Sequence, residues 1–215
     1  MTDDLVPFAS RTYGLLFLLL LAARGMDFLS TWIATPNLVL EGNPIAKKLG
    51  WRWGIPVNLA LCFGFAFWEM PAIVISTTSL LVAARNFQSA WLMRTLGEHA
   101  YREWHVERIQ ETSATLYLVC LLGQTVLTAV VGLAVIYFTG VDGNPELLAI
   151  GLGIVAYAVA VTFYTLLGTW RLRRATLREA RRKSRRLAND PAEALGRLDL
   201  PPPVYSSEDL EASGE

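Results

Sequence analysis

The sequence predicts an all-α fold: a polytopic membrane helical bundle of about four transmembrane helices, with an amphipathic cytoplasmic helix between the second and the third. Hydrophobic residues make up 53% of the 215 residues, and charged residues only 18%. The apolar residues occur in long runs, and a run of about twenty is what a helix needs to cross a bilayer. These two observations predict an integral membrane protein.

The first predicted transmembrane helix covers residues 12–34. Its apolar core, 14–23, is followed by small residues as in a secretion signal, but Asp3 and Asp4 precede it and the hydrophobic run resumes after Arg24. Basic residues, and not acidic ones, precede the core of a secretion signal. We therefore predict an uncleaved membrane helix.

Arg24 and Asp27 lie inside this run, where a charged side chain costs about 2.5–3.5 kcal/mol at the helix centre. On a helix they share one polar stripe with Ser30 and Thr31, which should face protein or a water-filled pocket. Three interpretations stay open. The two charges neutralise each other and hold the helix to its neighbours, they form a binding or catalytic site, or Asp27 lies at the interface and is solvated.

The loop after this helix completes the candidate polar site. Asn43 and Pro44 predict an N-cap followed by proline at the first helical position, opening a short helix that Gly50 closes. Asp27 and Glu41 offer two carboxylates for a divalent cation or a proton relay, although no known metal motif has their spacing. The candidate polar site comprises Arg24, Asp27, Ser30, Thr31, Glu41 and Asn43, with Asp27 and Glu41 as the candidate metal ligands.

The second apolar run covers residues 55–84 and is longer than one crossing requires. Pro56 stands at its start, and Glu69 and Pro71 interrupt its middle. Because a proline inside a helix frees a backbone carbonyl and bends the helix, we predict one kinked crossing. A helical hairpin that turns at Glu69 to Pro71 is the alternative. Glu69 is also a candidate neighbour of the polar stripe.

Residues 86–111 mix aromatic and aliphatic residues with charges, which predicts an amphipathic helix against the membrane. His99 and Glu103 are four residues apart, and so are Glu98 and Arg102. Ion pairing on a solvated surface accounts for this pattern, and a metal site is the alternative. The spacing is not that of a zinc protease helix. The secondary candidate site comprises Glu98, His99, Glu103 and His105.

Residues 112–138 and 145–170 form the predicted third and fourth membrane helices. Gly123 and Gly132 permit close approach of another helix to the third, and small residues four apart suit tight packing of the fourth. Residues 142–145, Asp-Gly-Asn-Pro, echo the Glu-Gly-Asn-Pro of residues 41–44. We interpret this as one turn-and-cap solution used twice, with a two-fold repeat of helix pairs as the alternative.

Motifs of soluble enzymes are absent: the sequence has no phosphate loop, nucleophile elbow or Cys-x-x-Cys pair. Cys62 and Cys120 lie within apolar runs, which predicts reduced core residues without a disulfide. Neither histidine lies in a predicted membrane span, which argues against haem. No cofactor is identified, and a divalent cation is the one ligand that the candidate polar site suggests.

Basic residues predict the orientation of the chain. Residues 171–188 hold nine of the 19 basic residues directly after the fourth helix, which places the C-terminus in the cytoplasm beneath the plasma (inner) membrane. With four crossings, the N-terminus and residues 86–111 are cytoplasmic too, while loops 35–53 and 139–145 face outward. Loop 35–53 nevertheless contains Lys47, Lys48 and Arg52. These residues violate the rule and keep a five-crossing hairpin arrangement open.

The predicted partners follow from the C-terminal composition. The segment Arg171–Arg186 lies in a basic juxtamembrane helix, 171–188, and should attract anionic lipid head groups by about 1 kcal/mol per basic residue. Residues 189–215 hold seven of the 19 acidic residues and a proline run, which predicts a disordered tail. We expect no nucleic acid, and we allow for a protein partner and for a homo-oligomer.

The helix Asp27-x-x-Ser30-Thr31 followed by Glu41-x-Asn43-Pro44 resembles an uncharacterised family of small prokaryotic multi-helix membrane proteins, in which a helix Asp with a following Ser or Thr precedes a Glu-x-Asn-Pro turn. The resemblance covers about residues 20–60. It implies a multipass fold and supplies no activity.

We expect a small integral membrane protein that binds or scaffolds a membrane partner, lipid or ion and catalyses no reaction. The alternative is a small transporter or membrane enzyme that uses Asp27 and Glu41 with a divalent cation. Access of water to Asp27 distinguishes them, because a transport or catalytic site must be reached and a structural ion pair can be sealed.

Overall fold

The computed structural model describes residues 5–189, without the side chains of 140–142 and of most residues after 171. The predicted tail therefore lies almost entirely outside the described residues. Within them the chain is all-helical, as the sequence predicts, with six helices and no strand. The helices are α1 (Arg11–Ala34), α2 (Pro44–Phe65), α3 (Glu69–Leu96), α4 (Glu98–Glu111), α5 (Ala114–Asp142) and α6 (Pro145–Asn189).

Four of these helices contain segments long and apolar enough to cross a membrane. The four segments are Arg11–Ala34, Glu69–Leu96, Ala114–Thr139 and Pro145–Arg171. Their number agrees with the prediction of four membrane helices, but the second one is placed differently, since α2 is not among them.

The single kinked helix predicted over 55–84 is wrong, because a turn at residues 66–68 divides this range between α2 and α3. Pro71 is the third residue of α3, where its missing N–H removes no helical hydrogen bond. Glu69 is the first residue of the same turn, where the positive end of the helix dipole stabilises a carboxylate. Pro71 thus lies in the first turn of a new helix. The hairpin alternative placed its turn at Glu69 to Pro71, close to the observed turn at residues 66–68.

The predicted connection 86–111 is also divided. Residues 86–96 are the last turns of α3, and α4 covers only the remainder. Gly97 separates the two helices with φ 80° and ψ 152°, a backbone conformation that a residue with a side chain rarely adopts. The charged half of the predicted segment, residues 98–111, therefore forms the separate helix α4.

α1 and α3 run parallel and pack along most of their length. Val6 N donates to Phe67 O before both helices, and Asn86 reaches Ser30 near their far ends. Buried residues recur every three or four positions, with one gap of seven on each helix, as in a coiled-coil seam. They are Tyr13, Leu16, Leu20, Ala23, Ser30 and Ala34 on α1, and Ala72, Ser76, Ser79, Ala83 and Ala90 on α3.

α2 runs back along α1 in the opposite direction. We call the end of the bundle that contains residues 5–10 and 66–68 end A, and the end that contains 35–43 and 97–98 end B. At end B, Trp51 Nε1 donates to Pro36 O at 2.8 Å. Towards end A, Tyr13 Oη donates to Phe63 O at 3.1 Å. The chain thus traverses the length of α1 a second time before α3 begins.

The loop 35–43 and the start of α4 lie together at end B. The Glu98 carboxylate accepts hydrogen bonds from the backbone N–H of Asn37 at 2.8 Å and of Val39 at 3.2 Å. The prediction that loop 35–53 and residues 86–111 face opposite sides of the membrane is therefore wrong. It assumed that 55–84 crosses once, whereas α2 and α3 together return the chain to the same end.

α5 and α6 form an antiparallel hairpin joined at residues 143–144. Thr125 Oγ1 and Thr162 Oγ1 are 2.6 Å apart, and Tyr117 Oη and Thr169 Oγ1 are 3.0 Å apart. Gly153, in the third turn of α6, packs on α3, and a Cβ there would lie 2.7 Å from Thr77 Cβ. The third turns of α3 and α6 are therefore in contact.

The chain divides into two compact units, Met1–Thr169 and Trp170–Glu215. The second unit, where it is described, continues the helix α6 through the basic segment to Asn189. Within it, the Arg174 guanidinium lies 3.8 Å from the Trp170 ring centroid.

Candidate functional site

Arg24 is the centre of a polar network that joins three helices. Its Nη1 donates to Asp27 Oδ2 at 2.8 Å, one turn along α1, and to Ser79 Oγ of α3 at 3.1 Å. Its Nε donates to Asn58 Oδ1 of α2 at 2.8 Å, and Nη2 donates to the same oxygen. The planar guanidinium suits this role because its N–H groups point in several fixed directions.

The backbone of α2 approaches α1 closely beside this network. Asn58 Nδ2 donates to Gly54 O at 2.8 Å, which orients the amide oxygen towards Arg24. Gly54 is buried, and a Cβ there would lie 3.6 Å from the ring of Phe28. The same ring packs edge to face on Trp51. An aromatic pair therefore flanks the network where α1 and α2 meet.

Asp27 and Asn86 occupy the two gaps in the seams of buried residues on α1 and α3. Asn86 Nδ2 donates to Ser30 Oγ and to Thr31 Oγ1, both at 3.3 Å. Ser30 Oγ donates in turn to the Asp27 backbone carbonyl at 2.9 Å. Polar side chains therefore continue from Arg24, near the middle of α1, towards end B.

Glu41 and Asn43 shape the loop at end B. Glu41 Oε1 accepts from Asn43 N at 2.7 Å, and Asn43 Oδ1 accepts from Ile45 N at 3.0 Å. The predicted N-cap, with Pro44 at the first helical position, is confirmed, and the helix kinks at Gly50 with φ 62°. Asp27 and Glu41 thus each accept a hydrogen bond from a donor of their own, Arg24 Nη1 and Asn43 N.

The secondary candidates do not form one cluster. Glu98 is only 9% exposed and is committed to the loop 35–43. The His105 ring stacks on Tyr101 with centroids 5.7 Å apart, and partial burial lowers the pKa of this imidazole from its usual 6.5. Among the residues that the structure describes, no three His, Cys, Asp or Glu side chains lie close enough to hold a metal ion.

The end A half of the three-helix unit is largely apolar, with Ser76 as a buried polar residue. Tyr13, Leu16, Leu20, Cys62, Ala66 and Ala72 form its buried cluster. Phe63 and Phe67 pack on the Tyr13 ring, and Phe8 packs on all three of these rings. The unit is thus polar from the middle to end B and closed by aromatic rings at end A.

Three polar partners of this site were missed by sequence reasoning. Asn58, Ser79 and Asn86 lie in helical runs that look like ordinary membrane and connecting segments. For Ser79 and Asn86 a signal was present, because they lie seven residues, or two turns, apart on the same side of α3. The proposed neighbour Glu69 is instead exposed at the start of α3, ten residues before Ser79, or about 15 Å along the helix.

The prediction for Cys120 is wrong. This residue was predicted to be a core residue, but its side chain is exposed on α5, whereas Cys62 is buried as predicted. An apolar run indicates that a helix lies in the bilayer. It does not indicate which side of that helix faces protein and which side faces lipid.

Comparisons with known proteins found no match: no family model matches the chain, and no curated protein or solved structure is significantly similar to it.

Proposed function

We propose that this chain is a non-catalytic, multi-pass protein of the plasma membrane that crosses the bilayer five times and binds anionic lipid head groups at its cytoplasmic end. The observation that carries the proposal is the uneven distribution of Lys and Arg between the two ends. End A has Arg11 as its basic residue among the described ones, and end B has six. Those six are Lys47, Lys48, Arg52, Arg94, Arg102 and Arg108.

The orientation follows from this distribution. Basic residues accumulate on the cytoplasmic side of membrane proteins, so end B is the cytoplasmic end. The basic run 171–186 follows the membrane segment of α6 in the sequence and obeys the same rule. α2 then supplies a fifth crossing, which removes the conflict that loop 35–53 poses for a four-crossing arrangement and places the N-terminus outside.

The Arg24 network supports a structural role for the membrane charges. Asp27, Asn58 and Ser79 satisfy most of the donors of Arg24, so the charge is compensated without a ligand. Such a network holds α1, α2 and α3 in one arrangement and so fixes the position of α2, whose first turns carry Lys47 and Lys48. The aromatic cluster at end A argues against a path through the unit, and therefore against transport.

Lipid binding is tested by thermal unfolding of the detergent-purified full chain with added phosphatidylglycerol or phosphatidylcholine. A ligand that binds the folded form raises the unfolding midpoint by mass action. We expect a larger rise with phosphatidylglycerol, and we expect added salt to reduce it. Lys48→Gln with Arg52→Gln should lose part of the rise, and neutralising Arg181, Arg182 and Lys183 should lose more.

Arg11→Gln is the matched control because it removes a basic residue from end A. Its response to phosphatidylglycerol should equal that of the wild type. Equal midpoint shifts with the anionic and the zwitterionic lipid, or an equal loss in the Arg11 variant, would contradict the proposal.

The second candidate function is a transporter or enzyme that holds a divalent cation at Asp27 and Glu41. The observation that favours it is that Asp27 and Glu41 each have one carboxylate oxygen without a hydrogen bond among the described residues, because a hard cation binds such oxygens. The same unfolding assay with Mg²⁺, Ca²⁺, Mn²⁺ and Zn²⁺ decides the matter. A rise in midpoint that both Asp27→Asn and Glu41→Gln lose would establish this function, and an unchanged wild-type midpoint would exclude it.

A further inference from the structure

Gln124 is a polar residue in the middle of a membrane segment, and its side chain is exposed. The segment of α5 runs over Ala114–Thr139, so Gln124 lies within about 4 Å of its midpoint. In the part of the chain that the structure describes, its carboxamide has no hydrogen-bond partner, and only its backbone carbonyl accepts from Thr128 Oγ1. Hydrocarbon offers that amide no donor or acceptor, so the monomer leaves it unsatisfied.

From Cys120 onward, the side of α5 that carries Gln124 differs from the side that packs on α6, whereas Tyr117, seven residues before Gln124, hydrogen-bonds to Thr169 of α6. Gly132 and Thr125 meet α6, and a Cβ on Gly132 would lie 2.9 Å from Gly151 O. Next to Gln124, Gly123 has no atom within 4 Å of its Cβ position. The α5 segment is 11% buried, against 22–28% for the other three membrane segments, so it borders the bundle.

Exposed residues on the Gln124 side follow a heptad spacing of four and three. They are Cys120, Gln124, Leu127, Val131, Ala134 and Phe138. This is the spacing at which two helices pack side by side over several turns, and a single polar residue in such a seam fixes the register of the pair. The seam is unoccupied by any other helix of the described chain, since each of its members is exposed.

We propose that this seam of α5 is the interface of a homodimer, in which Gln124 of each copy forms hydrogen bonds with Gln124 of the other. Both copies have the same orientation in the membrane, so the two α5 helices run parallel about a two-fold axis along the membrane normal. Each Gln124 then meets its counterpart at the same depth. A carboxamide carries both a donor and an acceptor, so two copies satisfy each other reciprocally. A second copy is the one partner that offers this match by symmetry.

Cys120 provides a native reporter of the interface. It lies one turn before Gln124 in the same seam, so Cys120 of the two copies should be close enough to cross-link. The full chain is reconstituted in lipid vesicles and oxidised with copper phenanthroline. We expect a dimer on a non-reducing gel that Cys120→Ser abolishes and that Cys62→Ser retains.

Substitution of Gln124 tests the hydrogen bond itself. Gln124→Leu should leave the fold intact, since an apolar side chain replaces one that faces lipid, and thermal unfolding of the variant checks this. Its dimer dissociation constant, measured by energy transfer on dilution with lipid, should rise about 3- to 30-fold. Gln124→Asn keeps the carboxamide and should retain most of the association.

A relocated amide is the matched control. Val126→Gln in the Gln124→Leu background places a carboxamide elsewhere on the lipid-exposed surface of α5, and it should not restore the Cys120 cross-link. A wild type that stays monomeric in vesicles would overturn the proposal, as would a dimer that Gln124→Leu leaves unchanged. A dimer weakened by Gln124→Leu but not by Gln124→Asn would establish it.

Discussion

At the level of single residues, Arg24 shows how a charge is accommodated in an apolar helix. Asp27 alone would neutralise it, but an ion pair in a medium of low dielectric is stable only when the remaining donors are also paired. Asn58 and Ser79 supply acceptors from two other helices. The cost of the charge thus becomes a constraint on how α1, α2 and α3 are arranged, because each helix must bring its polar side chain to one point.

The partners of Arg24 should contribute unequally to the free energy of unfolding. Asn58 accepts from two nitrogens of the guanidinium and Ser79 from one, so Asn58→Leu leaves more donors unpaired than Ser79→Ala. We expect Asn58→Leu to lower the free energy of unfolding by about 2–4 kcal/mol and Ser79→Ala by about 1 kcal/mol. Unfolding of both variants in one detergent checks the ranking, and equal losses would contradict it.

His105 gives the chain a pH dependence outside the membrane segments. Its partly buried imidazole has a pKa lowered from 6.5, so the unfolded chain takes up a proton at a higher pH than the folded chain. The unfolded state binds more protons between the two values, so stability falls as pH drops below about 6.5 and this loss ends below the folded pKa. His105→Phe should show a flatter pH profile over this window.

Tyr101→Leu provides the companion measurement. It removes the ring that stacks on His105, so the pKa of the imidazole should move back towards its usual value in an NMR titration. If the His105 resonance titrates identically in wild type and in this variant, the stacked ring is not the cause of the shift.

At the level of elements, glycines decide how closely α5 and α6 approach. A Cβ on Gly151 would lie 2.7 Å from Ile136 Cγ1 and 2.9 Å from Gly132 O, and the second contact is with backbone that cannot turn aside. Gly168, on the same helix, has nothing within 4 Å of its Cβ position. The two glycines thus make a matched pair in which only one is required by packing.

Alanine at these two positions should have opposite effects. Gly151→Ala should lower the free energy of unfolding by about 1–3 kcal/mol through overpacking. Gly168→Ala should leave it unchanged or raise it slightly, because alanine is the better helix former. The thermal midpoints of the two variants measure this, and a loss of the same size at Gly168 would contradict the attribution of the Gly151 loss to overpacking.

At the level of the whole molecule, the number of crossings determines which surfaces meet the cytoplasm. Five crossings place Thr12 outside and Lys48 inside, and four crossings reverse both. Glu146 is outside in either arrangement. All three side chains are exposed and near an end of the bundle, so each can carry a labelling site.

Single cysteines at these positions, in a Cys62→Ser and Cys120→Ser background, test the arrangement in intact cells with a membrane-impermeant maleimide. We expect Thr12→Cys and Glu146→Cys to react from outside, and Lys48→Cys to react only after permeabilisation. Labelling of Lys48→Cys in intact cells together with protection of Thr12→Cys would restore the four-crossing arrangement.

Much of the fold could be predicted because hydropathy and capping act over short stretches of chain. The number of membrane segments, the Asn43 cap and the pairing of Arg24 with Asp27, one turn apart on α1, all depend on residues close in sequence. The division of 55–84 was missed for a related reason. Pro71 inside an apolar run predicts a kink, although a proline fits the first turn of a helix equally well, and the sequence does not distinguish these two uses.

By itself, the sequence determined that this chain is helical, that four segments can cross a membrane and that a charge pair lies inside one of them. Only the tertiary structure decided which side chains complete the Arg24 network and which end of the bundle holds the loop 35–43. The reason is separation along the chain. Asn58 and Ser79 are 34 and 55 residues from Arg24, and Glu98 is 61 residues from Asn37, so these contacts exist only once the helices have packed.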